Sequence, residues 1–369
     1  MDALDQNIAA IKGLINPVCD FRLVVKSLPC PNLLAYAMQS ADTNRLMVFH
    51  QPFLNHIADK FPKSDVLLGK PMPVAAAELF YENLNAQSEF SPSHQLQWLI
   101  DSQLRLQQYL QMAKKLGVKL KINFEIDVGL HRGGLTSIST FDQAMKLISA
   151  NPQYLEFSGF MGYDPHVVKL PKLISSKQAA YDKSQNVYRM FVDNVKQHYP
   201  DIKIESLCLN GAGSPTIAMH KQDTIANELA AGSCLVMPTD FDIPTLAEFQ
   251  PASFIATPVL KKLVGTKIPG IEFAANMMAK WDINKQNTFF IYGGKWMANY
   301  IEPRGLQAND LYGQSTNQQI VNGSSKVELD VDDYIFLRPH QSEFVFLQFG
   351  DLWPIRDGKI AEPWPILLN

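Results

Sequence analysis

Cysteine is scarce in this chain. Four occur in 369 residues, Cys19, Cys30, Cys208 and Cys234, and no two are spaced as a CxxC pair. That argues against a disulfide scaffold and a cysteine-based structural zinc site, and leaves reduced thiols, as expected of a cytoplasmic protein. Long apolar runs are also missing: none approaches the ~18 to 20 residues that cross a bilayer as a helix. The opening Met1 to Asn7 is acidic and polar, so no secretory signal is expected there. Neither sign of charge dominates; the net charge is −3, with acids and bases mixed along the chain. No nucleic-acid surface and no polybasic membrane surface is therefore expected. Internal repeats and low-complexity tracts are absent as well.

What is present is an alternation of strands and helices. Short apolar, β-branched runs predict strands at 21–25, 45–49, 65–69, 96–102, 119–127, 154–161, 204–209 and 233–237. Helical spacing of apolar residues predicts helices at 3–15, 31–41, 53–61, 74–83, 103–116, 141–150, 178–198 and 224–229. Eight such units over about 240 residues fit the size of a (β/α)8 barrel, with a doubly wound open sheet as the competing arrangement. Near Asp240 the pattern changes to β-like runs at 253–259, 288–292, 326–331, 334–337 and 344–349, without an intervening helical pattern. Two domains follow: 1–240, a barrel, and 241–369, a mostly antiparallel β domain.

Barrel chemistry gathers past the C-terminal ends of the strands. Past the first strand comes Lys26. An amine held there partly out of water is placed to attack a carbonyl, although a lysine in that place also serves as an apolar stem with a solvated head. Past the fifth comes Asp127 to Gly134, with His131 and Arg132; past the sixth, Tyr163, Asp164 and His166. Past the seventh lies Asn210-Gly211-Ala212-Gly213-Ser214, and beside the eighth Gly232-Ser233. Glycine turns at those two strands are where many barrels bring backbone N–H groups to a phosphate; a plain tight turn is the other reading. A reactive lysine with a phosphate cradle points to pyridoxal 5′-phosphate (PLP). Arg132 is placed to meet the cofactor's phenolate oxygen, or to form an ordinary rim salt bridge.

The motifs MDALDQNI, VVKSLP, FEIDVGLHRGGL, GFMGYD, LNGAGSPT, NELAAGS and RPHQSEFVFLQFGDLWPIRDGKI span nearly the whole chain. In that order they resemble the fold-type III PLP enzymes, an alanine racemase-like barrel followed by a β domain. Within that group the chain is most similar to the branch holding D-threonine aldolase and D-serine dehydratase. The resemblance implies that Lys26 carries the Schiff base and acts as a general base. It implies that Arg132 contacts the phenolic oxygen, that Tyr163 flanks the ring, and that Gly211, Ala212, Gly213, Gly232 and Ser233 hold the phosphate. It also implies a homodimer whose sites are closed by the partner's β domain.

Two positions depart from the pattern. Racemases carry an arginine, facing the pyridine nitrogen, where this chain has Ala230. The branch's metal-binding His-x-Cys is here His340-Gln341-Ser342, and a serine is a much poorer ligand than a thiolate. A divalent metal, zinc or manganese, is thus an open question. His340 serves either as a ligand beside Glu343 or Asp351, as an acid or base alone, or as a packed, hydrogen-bonded side chain. His50 and His166 fall on the pocket rim. The expected function is a PLP-dependent lyase of the D-threonine aldolase or D-serine dehydratase type, acting on small D-amino or β-hydroxy amino acids. The alternatives are an amino-acid racemase, a non-catalytic PLP binder, and a barrel for another phosphorylated ligand.

Overall fold

A computed structural model describes the protein at all residues except 172, 268, 271–279 and 368–369, and the side chain of 344 is likewise left aside. The chain forms two compact units. The first comprises Met1–Leu235, Ile243–Gln250 and Phe346–Asn369; the second comprises Val236–Asp242 and Pro251–Val345.

The first unit is a closed barrel of eight parallel strands in sequence order. They are β1 (Asp20–Val24), β2 (Arg45–Val48), β3 (Asp65–Leu68), β4 (Leu96–Ile100), β5 (Leu120–Glu125), β6 (Leu155–Gly162), β7 (Cys208–Gly211) and β8 (Glu228–Ala231). Parallel pairing sends every C-terminal strand end to one rim. Helices between the strands are delimited by local chemistry. Ser102, Ser137 and Ser176 each accept a backbone N–H in the first turn of the helix they precede. Pro31 opens the helix Pro31–Ala41, where its missing N–H costs nothing.

Alternation along the strands divides the barrel into an apolar outer layer and a polar interior. Phe124 faces outward, in a cluster with Phe141, Phe157, Phe160 and Phe191. Trp98 stacks on Tyr81 and meets the edges of Phe80 and Tyr109. Burying each such ring removes apolar surface worth roughly 1.5–3 kcal/mol. Inside, Arg22 is fully buried and its guanidinium donates to Glu228, Asp65 and the carbonyl of Leu46. Asn210 Nδ2 donates to the same Glu228 carboxylate at 2.7 Å.

The late strands differ from the sequence expectation. The eighth strand is Glu228–Ala231 where a helix over 224–229 was predicted, and Ser233–Val236, predicted as that strand, is a short helix. The seventh begins at Cys208, after a 3-10 turn at Ile204–Ser206. Both shifts put the glycine turns immediately past strand ends. The C-terminal segment, read from sequence as part of the β domain, belongs to the barrel unit. Leu367 is buried there and its N–H donates to the carbonyl of Pro29.

In the second unit, six strands form one sheet in the order β11-β14-β9-β10-β13-β12, every pair antiparallel. These are β9 (Ile255–Val264), β10 (Asn287–Tyr292), β11 (Ala298–Glu302), β12 (Gln307–Ala308), β13 (Gln318–Gly323) and β14 (Tyr334–Pro339). The predicted strand at 326–331 does not pair; Val327 and Leu329 instead drop into the core from an irregular segment. The run 344–349 is not a strand either, since Ser342–Val345 forms a helical turn. The sequence boundary at 240 lies within Val236–Asp242.

Candidate active site

Lys26 sits in the 3-10 turn Val25–Ser27 that leaves β1 at the C-terminal rim. Its Nζ lies 4.5 Å from the centroid of Phe49, which follows β2 at the same rim. The neighbouring Ser27 hydroxyl is 3.0 Å from the hydroxyl of Ser233, in the turn that follows β8. The lysine turn and the last glycine turn are therefore joined by a hydrogen bond. Gly232 allows this closeness: a Cβ there would lie 2.8 Å from the Val24 carbonyl and 2.9 Å from Ser27 Cβ.

The turn after β7 comes to the same place. Ala212 has φ +65°, in the left-handed region, and turns the backbone between Gly211 and Gly213. Ser214 Oγ accepts the N–H groups of Gly232 at 3.3 Å and Cys234 at 3.1 Å, tying this turn to the one after β8. Tyr163, just past β6, lays its ring on Gly213; a Cβ at 213 would be 2.5 Å from the ring. Over that ring lies Arg132, its guanidinium carbon 4.9 Å from the centroid.

Arg132 is carried by the loop between β5 and the helix Ile138–Ser149. Asp127 shapes the loop, its carboxylate accepting the backbone N–H groups of Gly129 and His131 and facing His131 Nδ1 at 2.8 Å. Burial alone would raise the Asp127 pKa, but these hydrogen bonds overcome it and hold the group below its ordinary range. Glu125, at the end of β5, lies 3.9 Å from Arg132. Burial raises the Glu125 carboxyl; Arg132 opposes the shift, while Asp101 and Asp127 add to it. Burial also lowers His166, whose Nδ1 is enclosed without a hydrogen-bond partner among the described residues. Ala230 is buried in the barrel, where its methyl group can offer no charge to a ring nitrogen.

Lys26, Arg132, Tyr163, Gly211, Ala212, Gly213, Gly232 and Ser233 thus share one rim. From sequence, Phe49, Ser27 and Glu125 carried no role, and Ser214 was placed in the turn past the seventh strand without one. Ser27 adjoins the lysine, but nothing in the chain signals its partnership with Ser233, more than two hundred residues away.

His340 directly follows β14 in the second unit. Its Nε2 lies 2.9 Å from Asn299 Oδ1, and its backbone N–H donates to Met297. Ser342 is buried, and its hydroxyl has no hydrogen-bond partner among the described residues. No group of three or more His, Cys, Asp or Glu side chains able to hold a metal occurs among the described residues. The residues around His340 therefore do not fit the metal site implied by the resemblance. A cavity of about 660 Å3, lined in part by Asp20, Arg45, Lys121, Cys208 and Glu228, opens at the opposite, N-terminal end of the strands. No helix among the described residues is long and apolar enough to cross a membrane.

The sequence profile of the family described as "Alanine racemase, N-terminal domain" matches residues 1–240. No curated protein matches the chain. Among solved structures, D-threonine aldolase from Filomicrobium marinum is similar with a TM-score of 0.74 and 17% identity, covering 99% of this chain and 92% of that one. Alanine racemase of Clostridium difficile 630, in complex with cycloserine, is similar with a TM-score of 0.72 and 16% identity, over 100% and 97% of the two chains. D-threo-3-hydroxyaspartate dehydratase from Delftia sp. HT23 has a TM-score of 0.71 and 15% identity, over 100% and 96%. At such identities these likenesses establish the fold.

Proposed function

The chain belongs to the alanine racemase N-terminal domain family, and from that premise we propose that it is a PLP-dependent enzyme acting on small amino acids, of the lyase type. The reading rests above all on one observation: the Lys26 turn is hydrogen-bonded, through Ser27 and Ser233, to a glycine turn at the same rim. An amine, a pair of tied glycine turns and a cation over a tyrosine ring match the aldehyde, phosphate and phenolate oxygen of PLP. The donor set therefore fits the cofactor. When bound, PLP supplies an electron sink for a carbanion at the amino acid's Cα.

In this reading Lys26 would hold the cofactor at its aldehyde end, and its amine would serve as the proton acceptor on one face of the site. The Phe49 ring lies beside that amine, 4.5 Å from Nζ to the ring centroid. Arg132, over the Tyr163 ring, would hold a fixed positive charge toward the phenolate oxygen. The turns at 211–213 and 232–233 would hold the phosphate.

The substrates proposed are D-amino or β-hydroxy amino acids. Two structural neighbours, an aldolase of D-threonine and a dehydratase of D-threo-3-hydroxyaspartate, support a lyase; a third, the racemase, supports isomerisation as the alternative. A homodimer is proposed with it. No step is assigned to a metal.

Two measurements test the reading. Borohydride reduction after loading with PLP, followed by peptide mapping, is expected to leave a pyridoxyl group on Lys26. Incubation with D-threonine, D-serine and D- and L-alanine is expected to yield aldehyde or ketoacid. The antipode alone would move the assignment to racemase. A labelled Lys26 without any of these products would make the protein a PLP binder, and an unlabelled Lys26 would end the PLP reading.

A further inference from the structure

Behind the turn at 211–213 lies a buried polar chain that none of the proposed steps uses. Asp164, directly after Tyr163, and His220 are each 1% exposed, and Thr216 is fully buried. Thr216 Oγ1 donates to Asp164 Oδ1 at 2.6 Å. Asp164 Oδ2 lies 2.9 Å from His220 Nε2; a carboxylate can only accept, so the imidazole donates from that nitrogen. His220 Nδ1 meets Thr224 Oγ1 at 2.8 Å, and Thr224 Oγ1 accepts the N–H of Ala226 just before β8. The edge of Tyr181 closes the site, 5.0 Å from the imidazole.

This chain links three segments of the rim. Tyr163 and Asp164 follow β6. Thr216 and Ile217 both donate their backbone N–H groups to the carbonyl of Gly213, after β7. Thr224 and Ala226 lead into β8. A Cβ at Gly211 would lie 3.4 Å from the His220 ring, so the imidazole backs the first glycine of the turn. Burying a carboxylate and an imidazole costs several kcal/mol unless every bond is made, and an apolar filling of the same space often holds a fold as well. Such a network fixes one geometry, which matters where backbone N–H groups must meet an anion.

We infer that Asp164 and His220, acting through Thr216, are positioning residues that set the turn 211–213 for the phosphate end of a bound cofactor. The inference rests on the PLP reading above. It separates the phosphate from the rest of the molecule: the network should matter for PLP and not for pyridoxal, which reaches Lys26 but lacks the phosphate.

The experiment compares half-saturation for PLP and for pyridoxal, each trapped on Lys26 with borohydride and quantified by mass spectrometry. Wild type is set against Asp164→Ala and Thr216→Val, with thermal melting followed in parallel. Asp164→Ala is expected to weaken PLP by roughly tenfold and Thr216→Val by about threefold, as one or two lost hydrogen bonds would, with pyridoxal unchanged in both. If Asp164→Ala does not fold, the near-isosteric Thr216→Val decides. Parallel loss of PLP and pyridoxal, or loss of neither, overturns the positioning role and leaves the PLP reading intact. Wild type that labels with neither compound overturns both.

Discussion

Arg132 lies across Tyr163, 4.9 Å from the ring centroid, and the Cε2 edge of that ring lies close against Gly213. A cation, an aromatic ring and a glycine from three different loops thus meet at the rim. Arg132 is more than half exposed, so its attraction to the ring contributes only about 0.5–1 kcal/mol. The value of this contact set is positional, and its weakest point is the glycine.

Gly213→Ala tests that directly. The added methyl would stand 2.5 Å from Tyr163 Cε2, and the ring must move away. Displacing the ring carries Arg132 with it and opens the turn. Weaker PLP labelling of Lys26 is expected, by roughly tenfold, the equivalent of about 1.4 kcal/mol. Tyr163→Phe keeps the ring and is expected to retain labelling, whereas Tyr163→Ala is expected to behave like the glycine variant.

Much of this rim was legible in the sequence. Lys26 follows an apolar run too short for a helix, and the glycine turns come at the intervals a barrel requires. The eighth strand was not legible, because Glu-Leu-Ala-Ala is built from strong helix formers. It is a strand because β1 and β7 pair with it on both edges and Arg22 takes its carboxylate. The end of the seventh was hidden in a similar way, since Asn210-Gly211 reads as a turn, yet it pairs with Met161-Gly162. Val327 and Leu329 alternate like a strand because they are buried, but no neighbour takes their backbone. The Asp164–His220 pair left no trace, as its members lie 56 positions apart and meet only when three loops close together.

Gly232→Ala addresses the junction between the lysine turn and the phosphate turn. Its Cβ would meet Val24 O and Cβ at 2.8 Å and Ser27 Cβ at 2.9 Å, atoms that cannot swing aside as a side-chain end could. Overpacking of this kind costs roughly 1–3 kcal/mol. Lower stability in urea is expected, together with slower borohydride labelling at Lys26, because the Lys26 turn is what must give way. Gly211→Ala serves as the comparison: its nearest neighbour is the Ala226 methyl at 3.1 Å, and a smaller loss of stability is expected.

Glu125→Gln separates stability from function. The Glu125 carboxyl is raised by burial and by neighbouring acids, so its ionisation costs more in the folded chain than in the unfolded one. Stability is therefore lost as pH rises through the folded pKa. The glutamine variant is expected to be at least as stable as wild type at pH 7, with the difference vanishing near pH 4, as read from urea midpoints. Because the carboxylate lies 3.9 Å from Arg132, the same variant is expected to weaken PLP labelling modestly.

Glu228 carries the opposite sign. It is buried, yet Arg22 and Arg45 outweigh the burial and hold its carboxyl below the ordinary range. A depressed carboxyl adds stability above its unfolded pKa, about 4.3, and that stability is lost as pH falls through the folded value. Glu228→Gln leaves the fully buried Arg22 guanidinium with Asp65 and backbone carbonyls but without its main counter-charge. Breaking a buried pair in this way costs about 3–5 kcal/mol. The variant is expected to be less stable than wild type by that amount at pH 7 in urea unfolding. The gap should narrow as pH falls below about 4.3, where the unfolded wild-type chain takes up a proton that the folded carboxylate still resists. A gap that stays constant down to pH 3 would mean that the charge on Glu228 does not hold Arg22 in the barrel.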